Sequence, residues 1–462
     1  MQKRLTISII MAVSIILSFA ACGKQAEVSP STEKNTVATT QIQQTVTSEN
    51  PDKYKDAKLR LWINVLIGPD EQKNEQSEWV ISKMLRKFED AHPGLKVEMT
   101  VPPDQQAAHQ TFKAAAMAKN GPDIANLWGG TPTYALSDLI LHLDGKIPEE
   151  DMENLSGWDA QRLNFTSDGP ILAYPARGIE YGCFIYNKKL VAAAGLDFEN
   201  NAPKNVDEFM AAMEKLKATG IIPIVADDAG YNSLYVFCFG TWWAQTSGNE
   251  RIVSNSLAKT KYVDDKGFID TMAKAAEFYS KGYINKDYIS SKESSNRFAQ
   301  GKAALYCTGN WDIQYMADTL GEDNIGIIPV PQFSPEANSD IWATGGPGAQ
   351  NLIIANYTKY PELAIELCSY LNNRENTLAF TKVISIIPLR KDISAKDIGW
   401  EGKPLFEKAF EIAKHMAFWT DNSQVPEVMN EYYKVGTMVL TGKMTAQEAA
   451  QKLDQKAVEV NK

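Results

Sequence analysis

Apolar and polar positions along the chain fall into two alternating periods. "KLRLWINVLI", from Lys58, is a continuous apolar run of strand length. In "SEWVISKMLRKFEDAHPG" the spacing changes to that of a helix: Val80, Met84 and Phe88 share a face, Ile81 and Leu85 lie beside it, and Pro93-Gly94 ends it. "LKVEMTVP" then alternates Val97, Met99 and Val101, as a half-buried strand does. Strand, helix, strand is the unit of a parallel α/β sheet. Further on, "NVDEFMAAMEKLKATG" offers Asn205 as N-cap, Glu208 as its capping-box partner and Gly220 as stop, and the strand "IIPIVA" follows. A third helix, "YPELAIELCSYLNN", follows the apolar "NLIIA".

The first residues break this pattern. Lys3 and Arg4 precede an apolar stretch, Leu5 to Ala21, that is too short and too interrupted for a comfortable membrane span. Residues 1–21 read as an export signal. A cut after "FAA" would leave Cys22 at the new N-terminus, which resembles a bacterial lipoprotein signal in which that thiol becomes lipid-modified; Phe19 departs from the Leu or small aliphatic of the pattern. Residues 22–57 are rich in Ser, Thr, Gln and charge, and bury too little to fold. As a flexible coil they would span on the order of 30 Å, a tether between a membrane anchor and a globular body.

Composition narrows the function classes. The 462 residues are 44% hydrophobic and 23% charged, enough for two or more cored lobes. A formal net charge of −10 argues against a nucleic-acid footprint. Cys183, Cys238, Cys307 and Cys368 sit in apolar contexts, so buried free thiols are expected rather than a disulfide framework. The four histidines, 92, 109, 142 and 415, lack metal-ligand spacing. No P-loop, G-x-S-x-G or dinucleotide fingerprint occurs, and "GGPGAQN" at 345–351 fails the spacing of the last. No metal and no cofactor is expected.

Nine segments, in order, resemble the family 1 extracellular solute-binding proteins, the substrate-capturing lipoproteins of ABC sugar importers of the maltose-binding type. They are "KFEDAHPGLKVE", "GPDIANLW", "YPARGIEYGCFIYNKKLVAAAGLD", "APKNVDEFMAAMEKLKATGIIPI", "FAQGKAALYCTGNWD", "IGIIPVP", "ANYTKYPELAIELCSYL", "IIPLRKD" and "LTGKMTAQEAAQKL". The resemblance implies an α/β fold of two lobes joined by hinge crossings, with the ligand in the cleft between them. Carried onto this chain, lobe one would be 58–170 plus 325–387, and lobe two 180–320 plus 388–462. Binding would be by hinge closure, with the importer recognising the closed form.

The resemblance also nominates residues. "GPDIANLWGG" ends a strand-like run at Trp128, and Trp128 would face the ligand while the two glycines let a sugar ring approach. A pyranose has an apolar C–H face and a hydroxyl rim, so aromatics suit the face and carboxylates or amides the rim. Trp311 in "CTGNWD" matches the family's recurrent cleft tryptophan; Asn310 beside it is either a hydroxyl partner or a brace for the turn. Glu180 stands where maltose-type binders place a carboxylate near the first hinge crossing, with a salt bridge to Arg177 as the structural alternative; Tyr181 beside it is likewise either a ligand contact or structural. In the loop "DDAGYNS", Asp228 would hydrogen-bond and Tyr231 stack, unless the loop is simply solvated. Asp70 and Glu71 fall at the lobe-one rim under the same alternative, and Trp342 and Trp419 lie near cleft-bordering segments. Trp62, Trp79, Trp242 and Trp243 sit in apolar patterns and are expected in the core.

The function implied is a monomeric, non-enzymatic lipoprotein on the outer face of the cell membrane, of Gram-positive type, that delivers a mono- or oligosaccharide to an ABC permease. Alternatives are another small solute (a polyol, a polyamine or a phosphate ester), a sensor or adhesin using the same cleft, and a secreted glycoside hydrolase with unplaced carboxylates.

Overall fold

A computed structural model of the chain describes residues 54–63, 66–68, 71–102, 105–228 and 232–462. The expected signal, Cys22 and most of the tether lie outside these residues, as do Asp70 and Tyr231. Packed structure includes residues before 58: Ala57 is buried in the core and Tyr54 packs against His92 at 5.8 Å between ring centroids. Among the described residues no helix is long and apolar enough to cross a membrane.

The strands are β1 (Lys58–Trp62), β2 (Lys96–Thr100), β3 (Ile124–Trp128), β4 (Tyr174–Ala176), β5 (Ile179–Asn187), β6 (Ile222–Val225), β7 (Ala303–Gly309), β8 (Ile325–Ile328), β9 (Ala343–Pro347), β10 (Gln350–Ile354) and β11 (Met416–Phe418). They form two sheets, ordered β2-β1-β3-β10-β4 and β11-β9-β5-β7-β6, with β8 also paired to β5. In the first sheet β1 runs parallel to β2 and β3, as the strand–helix–strand pattern predicts, while β10 is antiparallel to its neighbours. In the second, β5 is antiparallel to β7, β8 and β9. Because β8 and β9 pair with β5, residues from 325 to 347 join the second sheet, not lobe one; the return to the first sheet begins at Gln350.

Each sheet is covered on both faces. Leu59, Leu61, Ile124, Leu352 and Ile354 enter one cluster while Ala125, Leu127 and Ile353 enter the opposite one, the period-two alternation of strand side chains. Strand β5 repeats this: Tyr181, Cys183 and Ile185 face one cluster, Phe184 and Tyr186 the other. That explains why β5 reads as a continuous apolar run. The helix Val80–Ala91 buries Ile81, Met84, Leu85 and Phe88, as its spacing requires. At the helix Val206–Ala218 Asn205 accepts the Glu208 N–H at 3.0 Å, but the Glu208 carboxylate returns to the Lys204 N–H, one residue earlier than a capping box would place it. Trp242 and Trp243 are core, whereas Trp62 and Trp79 pack at its edge, half-buried. The four described cysteines are buried free thiols.

Two very short connections carry the chain between sheets. Arg177 and Gly178 join β4 to β5, and Gly348 and Ala349 join β9 to β10. Behind the first, Gly182 of β5 lies under the backbone of the segment Leu234–Phe239, a turn of π-helix; a Cβ there would sit 1.6 Å from the Phe237 carbonyl oxygen. Gly182→Ala therefore forces the two backbones apart and is expected to lower stability by about 1–3 kcal/mol or more, read as a fall in the urea midpoint. An unchanged midpoint would contradict this packing.

Candidate functional site

A cleft of about 240 Å³ opens between the sheets at these connections. The first sheet contributes Trp128, at the end of β3, and Gln350, paired across from it on β10. The second lobe contributes Phe237, Trp311, Trp419, Asp421, Asn422 and Tyr433, and the first connection contributes Arg177 and Glu180.

Phe237, Trp311 and Trp419 form one aromatic wall. Phe237 meets Trp311 edge-on at 5.0 Å and Trp419 at 6.0 Å, and the two indoles lie 6.4 Å apart at 39°. Trp311 and Phe237 stay half-buried, so each presents ring surface to the cleft. Trp128 is half-buried too, and its backbone is held on several sides. The His109 ring Nε2 accepts the Trp128 N–H at 3.1 Å, and the Thr133 hydroxyl donates to the Trp128 carbonyl at 2.7 Å. Behind it runs a buried amide network. Asn126 donates to Asn351 O, Asn351 Nδ2 donates to Thr133 and to Gln161, and Gln161 Nε2 donates to Gly348 O. One network thus braces both the tryptophan and the second connection.

The glycines after Trp128 serve a different end from the one expected. A Cβ on Gly129 would meet Gly348 O at 2.1 Å, and one on Gly130 would meet Asn422 O at 2.6 Å. Gly130 also has φ +77°, a conformation that favours glycine. They allow close backbone approach between lobes, not approach of a ligand. Next to them Thr131 donates through its N–H to Asn422 O at 2.9 Å, and its hydroxyl bonds Asn422 O and Gln424 O. The lobes are therefore in contact at one end of the cleft.

Glu180 and Arg177 form an ion pair, so the structural alternative for Glu180 is met, and both line the cleft as well. Arg177 has φ +70° at the centre of a three-residue turn closed by Gly178 N–H to Ala176 O at 3.0 Å, the rarer, strained kind of γ-turn. Burial pushes the Arg177 guanidinium down to about 10, with Asp312 opposing, so it remains charged at neutral pH. Its Nε has no hydrogen-bond partner. Asp421 is buried; burial raises its pKa, while the Tyr433 hydroxyl, donating at 2.8 Å, pulls the other way. Asp421 Oδ1 also lacks a partner.

Of the residues nominated from the sequence, Trp128, Glu180, Trp311 and Trp419 come together in this cleft. Tyr181 does not. Adjacent strand residues point to opposite faces, so Tyr181 is wholly buried, its hydroxyl donating to Ala409 O at 2.9 Å. Asn310 braces the turn: its Oδ1 accepts the Tyr181 N–H at 3.0 Å and its Nδ2 donates to Ile179 O at 2.9 Å. Trp342 stacks on His415 at 4.2 Å and lines a separate groove with Phe198 and Lys408. Glu71 caps backbone instead of facing a ligand, accepting the Gly68 N–H at 2.8 Å and the Val80 N–H at 2.5 Å. Asp228 is half-buried, accepts from Thr437 at 3.4 Å, and does not line the cleft.

Sequence reasoning missed Phe237, Asp421, Asn422 and Tyr433. Asp421 and Asn422 stand in "FWTDN", beside the nominated Trp419, so their signal was adjacency. Phe237 is hidden in the apolar "LYVFCFGTWW", where nothing distinguishes the one half-buried ring from its buried neighbours. Among the described residues no His, Cys, Asp and Glu group is placed to hold a metal.

His109 ties the site to pH. Burial lowers its pKa to about 4, below the ordinary value near 6.5, so the folded state keeps the ring neutral. Its stabilisation is full above about 6.5 and is lost as pH falls toward about 4, because the unfolded chain binds the extra proton. His109→Gln should flatten that slope relative to wild type in urea melts from pH 6.5 to 4. Contributions of Asp312 and Asp421, raised by burial and opposite in sign, are common to both proteins and cancel. Equal slopes would contradict the role of the ring.

Comparison with known proteins agrees with this geometry. The family of bacterial extracellular solute-binding proteins matches residues 83–408. The maltodextrin-binding protein MdxE of Bacillus subtilis (strain 168) is 26% identical over 308 residues, covering 63% of this chain and 67% of its own. The galactooligosaccharide-binding protein of the same organism is 22% identical over 356 residues, 74% of this chain and 76% of its own. A solved chitin oligosaccharide binding protein superposes with a TM-score of 0.75 at 23% identity, over 87% of this chain and 98% of its own. The chain belongs to the bacterial extracellular solute-binding proteins and has their two-lobe fold about an interlobe cleft.

Proposed function

We propose that this protein captures a saccharide in the interlobe cleft and delivers it to an ABC permease, held at the outer face of the membrane by lipid on Cys22 and the tether that follows. The observation that carries this reading is the lining of the cleft: five aromatic rings, Trp128, Phe237, Trp311, Trp419 and Tyr433, with a small set of buried polar groups at their rim. Trp128 on one lobe opposes Phe237, Trp311 and Trp419 on the other, a pair of apolar walls suited to the C–H faces of a sugar ring. Arg177 Nε is an unused donor and Asp421 Oδ1 an unused acceptor. A hydroxyl, which both donates and accepts, answers both groups as the lobes adjust around it.

Charge supports a neutral ligand. Among the described residues the single basic one lining the cleft, Arg177, is already paired with Glu180, which leaves little attraction for a phosphate ester. The names of the relatives, which refer to maltodextrin, galactooligosaccharide and chitin oligosaccharide, favour the same class.

A panel of mono- and oligosaccharides, with polyols, polyamines and phosphate esters beside it, tests the reading by thermal shift and calorimetry. A ligand at a hundred times its dissociation constant should add about 2.7 kcal/mol of stability. A saccharide hit recovered chemically unchanged is the expected result; turnover would identify a hydrolase, and silence from every sugar would remove carbohydrate from the account. Trp311→Ala should weaken the best saccharide at least about tenfold, about 1.4 kcal/mol. Trp342→Ala, outside the cleft, should leave that affinity as it is. Equal effects of the two would contradict the placement of the site.

A further inference from the structure

Three of the four described cysteines converge behind the aromatic wall. Cys238 follows Phe237 in the π-helical turn Leu234–Phe239, and Cys307 lies on β7, whose end passes directly into Asn310 and Trp311. Their sulfurs are 3.0 Å apart, about 1 Å more than a disulfide bond. The third is Cys183 of β5, whose carbonyl oxygen accepts from the Cys238 thiol at 3.6 Å.

Sheet register decides which two can pair. Cys307 stands opposite Phe184 on β5, and both side chains enter the same cluster as Cys238. Cys183 stands opposite Thr308, and its side chain enters the cluster on the other face. Cys368 belongs to the core of the first sheet. Among the described cysteines, only Cys238 and Cys307 share both a face and a contact.

What such a bond would join matters more than the contact itself, since thiols also pack as small apolar groups. The two residues are 69 apart in sequence, and closing a long loop is where a cross-link restrains the unfolded chain most. It would also tie together the elements that carry Phe237 and Trp311, which meet edge-on at 5.0 Å. Timing follows from access. Cys238 is fully buried and Cys307 only 2% exposed. Burial raises the Cys238 thiol well above its usual pKa, and its neighbour Cys307 adds to the rise. The closed fold therefore offers an oxidant almost no thiolate.

We infer that Cys238 and Cys307 are a cross-linking pair that closes into a disulfide while the chain folds in an oxidising exterior, fixing the turn that carries Phe237 to the strand that leads into Trp311. The oxidant is a small-molecule disulfide such as oxidised glutathione. One protein thiolate attacks it and releases one glutathione thiolate; the second protein thiolate then attacks the protein sulfur of the mixed disulfide and releases the other. The protein thiols lose two electrons and two protons, and the small disulfide leaves as two thiols. This inference stands apart from the identity of the solute.

The full chain, unfolded under reductant and refolded in reduced and oxidised glutathione, tests it. After unfolding in acid, alkylation of free thiols and digestion without reduction, mass spectrometry should find one peptide joining Cys238 to Cys307, with Cys183 and Cys368 alkylated. Alkylation of Cys238 and Cys307, or a bridge from either to any other cysteine, overturns the pairing. In the bridged protein, amide exchange at 234–239 should slow at least about tenfold relative to protein refolded with a phosphine reductant. In Cys307→Ala the two refolding buffers should give the same exchange there; Cys238→Ser replaces it if it does not fold. A bridge that leaves exchange at 234–239 unchanged, or an equal buffer effect in the variant, overturns the bracing of the wall.

Discussion

The chain passes between its two sheets three times, and the first two passages, of two residues each, are the constraint around which the rest of the structure is arranged. A connection so short leaves no room for a loop, so the sheet edges must meet where the chain crosses. At the first crossing Arg177 adopts a positive φ and turns back to pair with Glu180, just inside β5. Removing one partner of a pair this buried would cost about 3–5 kcal/mol, since the other charge would be stranded. The pair also stands in the cleft wall, so the groups that hold the first crossing are part of the cleft lining.

Rigidity at Trp128 comes from the same place. Asn126, Asn351 and Gln161 link the strand that carries the tryptophan to Gly348 in the second crossing, entirely through buried amide bonds. A buried network of this kind fixes geometry, because each broken bond leaves a desolvated polar group; Asn351 Oδ1 is left without a partner. Across the cleft, the aromatic wall rests on a turn of π-helix that packs backbone to backbone over Gly182. Each wall is thus braced by backbone contacts behind it.

Much of this was legible in the sequence, but unevenly. Helices and strands with a clean period, such as Val80–Ala91 and Lys96–Thr100, appeared where the pattern put them. Trp128 stood out as an indole at a strand end before two glycines, whereas Trp311 and Trp419 were nominated through the family resemblance. What failed, failed for pairing reasons. Which way Tyr181 points depends on the register of β5, and which sheet receives residues 325–347 depends on non-local pairing with β5. Likewise the glycines after Trp128 announced close approach without saying to what; the answer, Gly348 and Asn422, lies hundreds of residues away in sequence. Asn310 and Glu71 look like ligand groups in a string of letters, and only their backbone partners show them to be spent.

The central claim is that the interlobe cleft at the crossings, and not the larger groove beside Trp342, receives the solute. Amide hydrogen exchange with and without a saturating sugar tests it most directly. Added protection is expected at 127–133, 177–181, 234–239, 309–312 and 418–433, with none around Phe198 and Trp342. Protection confined to the Phe198–Trp342 groove, with the crossings unchanged, would contradict it.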